Sequence, residues 1–378
     1  MIERLQVRGY KSLVDVEVEL GPLTVFVGAN GSGKTSVLEA INLLQTLLLW
    51  SRFTELYQLD YPDWFDLPRV ASRQSSKDSI EIGFSLPEVS SRGSLEGAFG
   101  LEQFLVRFDN ATIVQIDDDP QSKGKCSVSD QLYGSLLGIR MFRLDTRAMA
   151  GAAYSHETDP TLGFDGKNLA AVLDALQGEA RERFDEIERR LREFVPSLRH
   201  LRVKRARTRR SDDVEVVGHQ VSFDFEHAAN IRADDASEGT LLLLGLLTVI
   251  EANAPDQPMT IMLDDLDRAL HPKAQRDLVG YLHELIRSRP GLQIIATTHS
   301  SYLVEHLEFE EVRAITQAPD GTSVIGSLID HPEAERWRDE MSAGEFWSSV
   351  GESWVAAHAA RSVFVATTSA ASSGSSRT

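Results

Sequence analysis

Hydrophobic and polar residues change period several times along the chain, and each change marks an element. Val14, Val16, Val18 and Leu20 alternate with Asp15, Glu17 and Glu19, which is the pattern of a half-buried strand. Residues 5–10 read as an edge strand before it, so an antiparallel pair is expected at the amino end. Gly21-Pro22 breaks the alternation, and the apolar run 23–27 predicts a short buried strand. Val37, Leu38, Ile41, Leu44 and Leu48 then share one helical face. Residues 51–76 lose periodicity and predict a loop-rich stretch, with Tyr57, Tyr61, Trp64 and Phe65 as packing residues. Alternating runs at 80–86, 104–108 and 111–116 predict a small antiparallel meander, 117–130 a polar loop, and 139–144 a further strand.

The second half of the chain is more helical. Residues 168–176 and 180–195 predict helices, the second with Phe184, Ile187, Leu191 and Phe194 on one face and Pro196 as its stop. Val221, Phe223 and Phe225 after the run 214–217 suggest a hairpin through Gly218-His219. A strongly apolar helix is expected from Leu241, and an apolar strand at 258–263 ends in Asp264-Asp265. Leu270-His271-Pro272 opens a helix that buries Leu278, Leu282, Leu285 and Ile286. A buried strand at 293–300 finishes in polar residues, and 312–316 with 323–325 predicts a closing hairpin. No heptad pattern is sustained, which excludes a long coiled coil, and no internal repeat is visible. Strands interleaved with helices make this an α/β chain.

The strand at 23–27 and the helix after it enclose Gly28-Ala29-Asn30-Gly31-Ser32-Gly33-Lys34-Thr35, which matches G-x-x-x-x-G-K-[ST] in the strand–loop–helix setting that motif requires. Glycines let successive N–H groups converge on phosphate oxygens, and the helix N-terminus adds partial positive charge. Asn30, Gly31, Ser32, Gly33, Lys34, Thr35 and Ser36 are therefore candidate nucleotide-binding residues. Lys34 supplies a full charge to the β- and γ-phosphates of ATP, and the Thr35 hydroxyl is placed to bind Mg²⁺. A carboxylate ending an apolar strand suits the second metal contact, so Asp264 joins Thr35 as a metal candidate. Asp265 is a candidate to orient the attacking water, and His299, at the end of a further strand, to touch the γ-phosphate.

Composition narrows the setting. The chain has 378 residues, 42% of them hydrophobic and 25% charged, in the range of globular domains. A lone cysteine, Cys126, excludes an internal disulfide; no signal-like segment opens the chain, and no apolar run is long enough to span a bilayer. The expectation is a cytoplasmic protein without a membrane partner. The net charge of −18 repels nucleic acid over the average surface, with one local exception. Arg199, Arg202, Lys204, Arg205, Arg207, Arg209 and Arg210 form a basic run that either contacts nucleic-acid phosphates or answers the chain's own acidic residues. Arg8, Tyr10 and Lys11, at a turn, either reach the nucleotide or are ordinary turn residues.

The order of phosphate loop, Ser237-Glu238-Gly239-Thr240, Ile261-Met262-Leu263-Asp264-Asp265, Leu270-His271-Pro272 and Thr297-Thr298-His299-Ser300 resembles the ABC-class ATPases. The resemblance is closest to the RecF/SMC-like and OLD-like branch, including standalone AAA-labelled ATPases of bacterial defence operons. Arg8-Gly9-Tyr10-Lys11-Ser12 is similar to that branch's N-terminal strand-and-turn motif. The fold it implies is an ABC-type P-loop head with an N-terminal antiparallel β subdomain and an inserted helical lobe. One head would span 1–366: a nucleotide-binding core at 1–50 and 231–330, an inserted β-meander and helical lobe at 51–230, and a C-terminal extension at 331–366. Residues 367–378 are rich in Ser, Ala and Thr and are expected to be disordered. By the same resemblance Ser237 and Gly239 belong to the signature motif, which contacts the γ-phosphate held by a second copy. Residues 268–271 take the D-loop place and His299 the switch-histidine place, which implies a head-to-tail homodimer around two ATP.

The chain departs from the family pattern in three ways. Its signature is Ser-Glu-Gly-Thr, which argues against a transporter subunit. Asp265 stands where the catalytic Glu is usual; a side chain shorter by roughly 1.5 Å implies slow hydrolysis, since misplacement of about 1 Å costs about a hundredfold. Neither Gln58 nor Gln74 sits at a recognisable strand end to serve as the Q-loop glutamine. Residues 300–378 carry no strand-end Glu with a later Asp-x-Asp, so a nuclease activity like that of OLD-like relatives is expected of a partner effector encoded nearby. The function expected is a slow ATPase controlling that effector in anti-phage defence or DNA repair, with a nucleotide-gated scaffold as the alternative and a transporter ATPase the less favoured reading.

Overall fold

The computed structural model describes residues 1–57, 79–87, 101–109, 112–116, 136–157, 159–210, 213–252 and 258–357. Tyr61, Trp64, Phe65, Gln58, Gln74, Cys126, the 117–130 loop and the 367–378 tail lie outside the described residues. The chain divides into two units, the first holding Met1–Arg140, Pro258–Met262 and His283–Thr378, the second Met141–Gln257 and Leu263–Leu282.

In the first unit, β1 (Arg4–Tyr10) pairs antiparallel with β2 (Leu13–Glu19), as the alternation predicts. β1 is not an edge strand, however: its other side pairs with β4 (Ser79–Pro87). β5 (Leu101–Asp109) and β6 (Thr112–Ile116) follow, giving a five-stranded sheet of order β2-β1-β4-β5-β6. The meander expected inside an insertion at 51–230 thus extends the N-terminal sheet. Val7 and Ile82 are cross-strand partners, both fully buried, and hydrophobic pairing of this kind is what registers one strand on the next.

A second sheet carries the phosphate loop. β3 (Leu23–Val27), buried at every position, lies between β12 (Leu292–Thr298) and β13 (Val312–Gln317), parallel to both. The full order is β14-β13-β3-β12-β11-β7, with β7 at Ile139–Phe142, β11 at Met259–Leu263 and β14 at Ser323–Ser327. α1 (Lys34–Tyr57) starts in the phosphate loop and runs on through residues expected to be a loop.

Gln293 joins the pieces of this sheet. It is fully buried in β12; its Oε1 accepts from Ile2 N at 2.8 Å and from Thr260 Oγ1 of β11 at 3.1 Å. Its Nε2 donates to Ile2 O at 2.6 Å and Gly21 O at 3.0 Å. A buried amide with both ends satisfied adds net stability, and removing it orphans every partner.

The second unit surrounds α5 (Glu238–Glu251), an apolar helix buried from Thr240 to Glu251. A helix hydrophobic on all sides needs cover all round. Here α2 (Thr146–Ala150), α3 (Leu169–Glu179) and α4 (Arg181–Phe194) pack against it. At Gly245 a Cβ would lie 2.7 Å from Met149 Sδ of α2, so the Met149 side chain packs directly on the helix backbone there. The three-stranded sheet β10-β9-β8 completes the unit, with β8 at Leu198–Arg209, β9 at Glu215–Phe225 and β10 at Ala228–Arg232.

The hairpin expected through Gly218-His219 is absent, because β9 runs straight through both residues. A Cβ on Gly218 would come within 2.3 Å of Ala153 O, and His219 exchanges backbone hydrogen bonds of 2.7 and 2.8 Å with Ala153. This glycine admits a neighbouring backbone rather than making a turn. The turn itself joins β8 to β9, where Arg210 N donates to Val214 O and Asp213 has φ 63°. Among the described residues no helix is long and apolar enough to cross a membrane.

Replacing Gln293 by Leu should lower unfolding stability by about 3 kcal/mol, since several buried groups lose their partner together. Urea unfolding of the two chains measures this.

Candidate functional site

In the first unit the loop leaves the carboxyl end of β3 and enters α1 as a cradle that only glycine can make. Gly28, Gly31 and Gly33 have φ of 147°, 77° and 110°, all in the region closed to most side chains. A Cβ on Gly28 would lie 2.1 Å from Ile315 O, and one on Gly33 2.4 Å from Ser323 Oγ. Lys34 is 5% exposed, and its Nζ donates to Gly28 O and Ala29 O, each at 2.8 Å, spanning the start of the loop. Ser32 Oγ is buried with no hydrogen-bond partner among the described residues, although a buried hydroxyl ordinarily finds one. A glycine-built loop with a buried ammonium and an unsatisfied hydroxyl fits the oxygens of a polyphosphate. Asn30 is exposed, and Thr35 and Ser36 are half-buried in the first turn of α1.

His299 belongs to the same unit. The parallel register pairs Thr298 with Val27, so His299 is the exposed residue that leaves β12 level with the start of the loop. The next residue, Ser300, caps the short helix α7 (Ser301–Val304) through Leu303 N. The N-terminal turn has a structural explanation: Arg8 pairs with Asp15 at 3.1 Å, and Lys11 bonds Glu39. Tyr10 is buried, and burial, with Glu39 nearby, raises its phenol above the ordinary range.

The second unit holds the other candidates. Asp264 directly follows β11; its side chain is 1% exposed and its N–H donates to Phe142 O at 3.0 Å. Arg143 Nε lies 3.6 Å from its Oδ2 and offsets its charge. Asp265 has φ 58°, a left-handed conformation that short polar residues such as Asp tolerate better than most. Ser237 is the N-cap of α5, its Oγ accepting from Thr240 N at 3.2 Å, so the helix starts earlier than Leu241 and Gly239 falls in its first turn.

Signature and D-loop positions meet inside this unit. A Cβ on Gly239 would lie 2.9 Å from Ala269 O, and Ala269, with φ 59°, sits in the turn at 268–271 before α6 (Pro272–Ser288). Among the described residues no group of three or more His, Cys, Asp and Glu is arranged to hold a metal. Thr35 in the first unit and Asp264 in the second each carry an oxygen donor, the ligand type that Mg²⁺ takes.

The basic run is β8, and the neighbouring strand β9 and its flanks answer it. Arg199 pairs with Glu226 at 2.6 Å, Arg202 with Asp224 at 2.5 Å, Arg207 with Glu215 at 3.4 Å and Arg209 with Asp213 at 2.8 Å. Lys204 bonds Asn230 Oδ1. Asp224 is held below the usual carboxylate range by the Asn230 amide and then by Arg202. Arg199, Arg202, Arg207 and Arg209 are thus compensated by carboxylates, which supports the acidic-neighbour alternative for that part of the run.

Sequence reasoning assigned no role at the loop to Ser12, Gln317 or Ser323, and none to Arg143. Ser12, Gln317 and Ser323 reach the phosphate loop from positions distant in sequence, and no local spacing announces them.

The family described as "AAA domain, putative AbiEii toxin, Type IV TA system" matches residues 23–305, and the chain belongs to this family. The chain is similar to an "OLD nuclease" of Thermus scotoductus, at 24% identity over 88% of this chain and 65% of that protein, so it spans less than two thirds of this relative's length. It is 25% identical to the "DNA replication and repair protein RecF" of Acinetobacter baylyi, over 87% of this chain and 98% of the relative. Its fold is that of an SMC head: it matches the structure titled "Crystal structure of the SmcHead bound to the C-winged helix domain of ScpA" with TM-score 0.55 and 15% identity, over 89% of this chain and 99% of that one. These matches agree with the expected kinship to RecF/SMC-like and OLD-like ATPases and with the α/β P-loop head.

Gly239→Ala should destabilise the second unit by about 2 kcal/mol, because its methyl meets a backbone oxygen that cannot rotate away. Chemical unfolding detects it, and unchanged stability would show that the turn at 268–271 yields freely.

Proposed function

We propose that this chain binds MgATP in the phosphate loop, hydrolyses it slowly, and in its ATP-bound state pairs with a second copy of itself to control a partner effector. The observation that carries this is the loop itself: three left-handed glycines, a buried Lys34 and the unsatisfied Ser32 hydroxyl in one cradle. Lys34 would neutralise the β- and γ-phosphates. Thr35 and Asp264 would hold Mg²⁺, which supplies charge neutralisation on the phosphate oxygens. Asp265 would orient the attacking water, and His299 would contact the γ-phosphate. The N-terminus of α5, with Ser237 and Gly239, would offer its amides to the γ-phosphate carried by the other copy.

The names of the OLD nuclease and RecF relatives support a role in DNA repair or anti-phage defence, with any nuclease supplied by a partner effector encoded nearby. A second reading, a nucleotide-gated scaffold in which hydrolysis only resets assembly, is favoured by one observation. Asp265 combines a short side chain with a left-handed backbone, a combination suited to holding ATP longer than to cleaving it fast.

Single-turnover hydrolysis and sizing with and without MgATP test both readings. ATP should shift the chain from monomer to dimer, and Lys34→Ala should abolish the shift. Asp265→Glu should speed hydrolysis, by as much as about a hundredfold if carboxylate reach limits the step. The same variant should cost about 1 kcal/mol of stability, because Glu tolerates the left-handed backbone less well than Asp. Wild-type turnover equal to that of Asp265→Glu would remove the case for slow hydrolysis, and ATP-independent size would remove the case for a nucleotide-driven dimer.

A further inference from the structure

The hairpin β13–β14 runs alongside the phosphate loop, because β13 pairs in parallel with β3 from Val312↔Val25 to Ala314↔Val27. Beyond that register the hairpin outreaches β3, and its last rung pairs Gln317 with Ser323. Directly opposed residues of an antiparallel pair project to the same face of the sheet. Both side chains of this rung end on the phosphate loop: Gln317 Nε2 donates to Gly31 O at 2.9 Å, and Ser323 Oγ contacts Ser32 O at 2.6 Å. Ser323 is also tied to the N-terminal turn, through Ser12 Oγ at 2.8 Å and through its own N–H to Ser12 O at 2.7 Å. Ser323 is 2% exposed, and Gly33 leaves the room its hydroxyl occupies.

Two consecutive peptide planes of the loop are thus held by their carbonyls. In a trans peptide the C=O and the following N–H point in opposite directions. Fixing Gly31 O and Ser32 O on the hairpin side turns the amides of Ser32 and Gly33 to the other side, into the loop. The Ser32 N–H indeed faces inward, reaching Ala29 O at 3.3 Å.

We infer that the Gln317–Ser323 rung, braced by Ser12, is a positioning device that sets the phosphate loop's amides for a nucleotide's phosphates before the nucleotide arrives. This rests on the proposed binding of MgATP in the loop. The rung touches carbonyls rather than phosphate, so Gln317 and Ser323 are positioning residues. Through them the shape of the loop is tied to the hairpin, 286 and 291 residues later in the chain than the Gly31 and Ser32 carbonyls they hold.

The test is a thermal-shift titration of the full chain with MgATP, comparing wild type, Ser323→Ala, Ser323→Thr and Gln317→Met. Ser323→Ala should weaken MgATP binding about tenfold, the scale of one lost hydrogen bond to a buried group. Ser323→Thr keeps the hydroxyl and should restore binding. Gln317 is exposed, so Gln317→Met should leave the nucleotide-free melting temperature unchanged and still weaken MgATP binding severalfold. That pairing of results separates positioning from a general loss of stability. Wild-type affinity in both Ser323→Ala and Gln317→Met would overturn the inference while leaving the nucleotide site intact. Failure of the wild-type chain to bind MgATP would overturn the nucleotide proposal and this inference with it.

Discussion

The backbone of the phosphate loop must turn its amides toward one side and its carbonyls toward the other, and much of the first unit answers that demand. Left-handed φ at Gly28, Gly31 and Gly33 makes the curl sterically possible. Possibility alone does not select it, because glycine also opens many other conformations to an unfolded loop. Contacts from outside select one. Ile315 O closes on Gly28, while the rung at Gln317 and Ser323 takes the carbonyls of Gly31 and Ser32. Gln293 holds the amino-terminal residue Ile2, the turn before β3 and the neighbouring β11 to β12. The loop is therefore tied at several points to the sheet it leaves.

This explains what could be read in advance. The phosphate loop, Asp264-Asp265 and His299 were visible because each is a short-range statement: a glycine spacing, or a polar residue ending an apolar run. The positions of the buried strands along the chain followed for the same reason, since runs such as Leu23 to Val27 bury every residue. Ser12, Gln317, Ser323 and Gln293 were not visible. Each is a common polar residue whose role exists only once strands far apart in sequence lie side by side. Gly218 misled for a related cause. A glycine flanked by alternating apolar residues suggests a turn, yet here it makes room for Ala153. From sequence a glycine reports a need for space or for unusual φ, and only the fold says which.

Charge follows the same division between local and non-local information. As a string, the run from Arg199 to Arg210 in a chain of net charge −18 reads equally as a phosphate-contacting surface or as an answer to the chain's own acidic residues. As a strand it lies beside β9, whose two carboxylates pair with Arg202 and Arg207, Asp224 with the first and Glu215 with the second. Exposed pairs of this kind contribute little to stability, commonly under about 1 kcal/mol each. Their consequence is electrostatic: paired guanidiniums have a compensated field and attract a polyanion less than the bare count of arginines suggests.

Asp265 shows how backbone conformation and chemistry constrain one residue together. The chain leaves β11 through Asp264 and turns at once, with Asp265 at φ 58° and Ala269 at φ 59° in the same segment. A left-handed non-glycine residue is disfavoured, by about 1–2 kcal/mol for most side chains and less for Asp, whose short side chain can bond locally. Ala269 has no such compensation, and its carbonyl lies where a Cβ on Gly239, at the head of α5, would meet it at 2.9 Å. Within this geometry Asp at 265 relieves strain that Glu would add, at the expense of carboxylate reach. Asp at 265 is thus intelligible as a conformational choice.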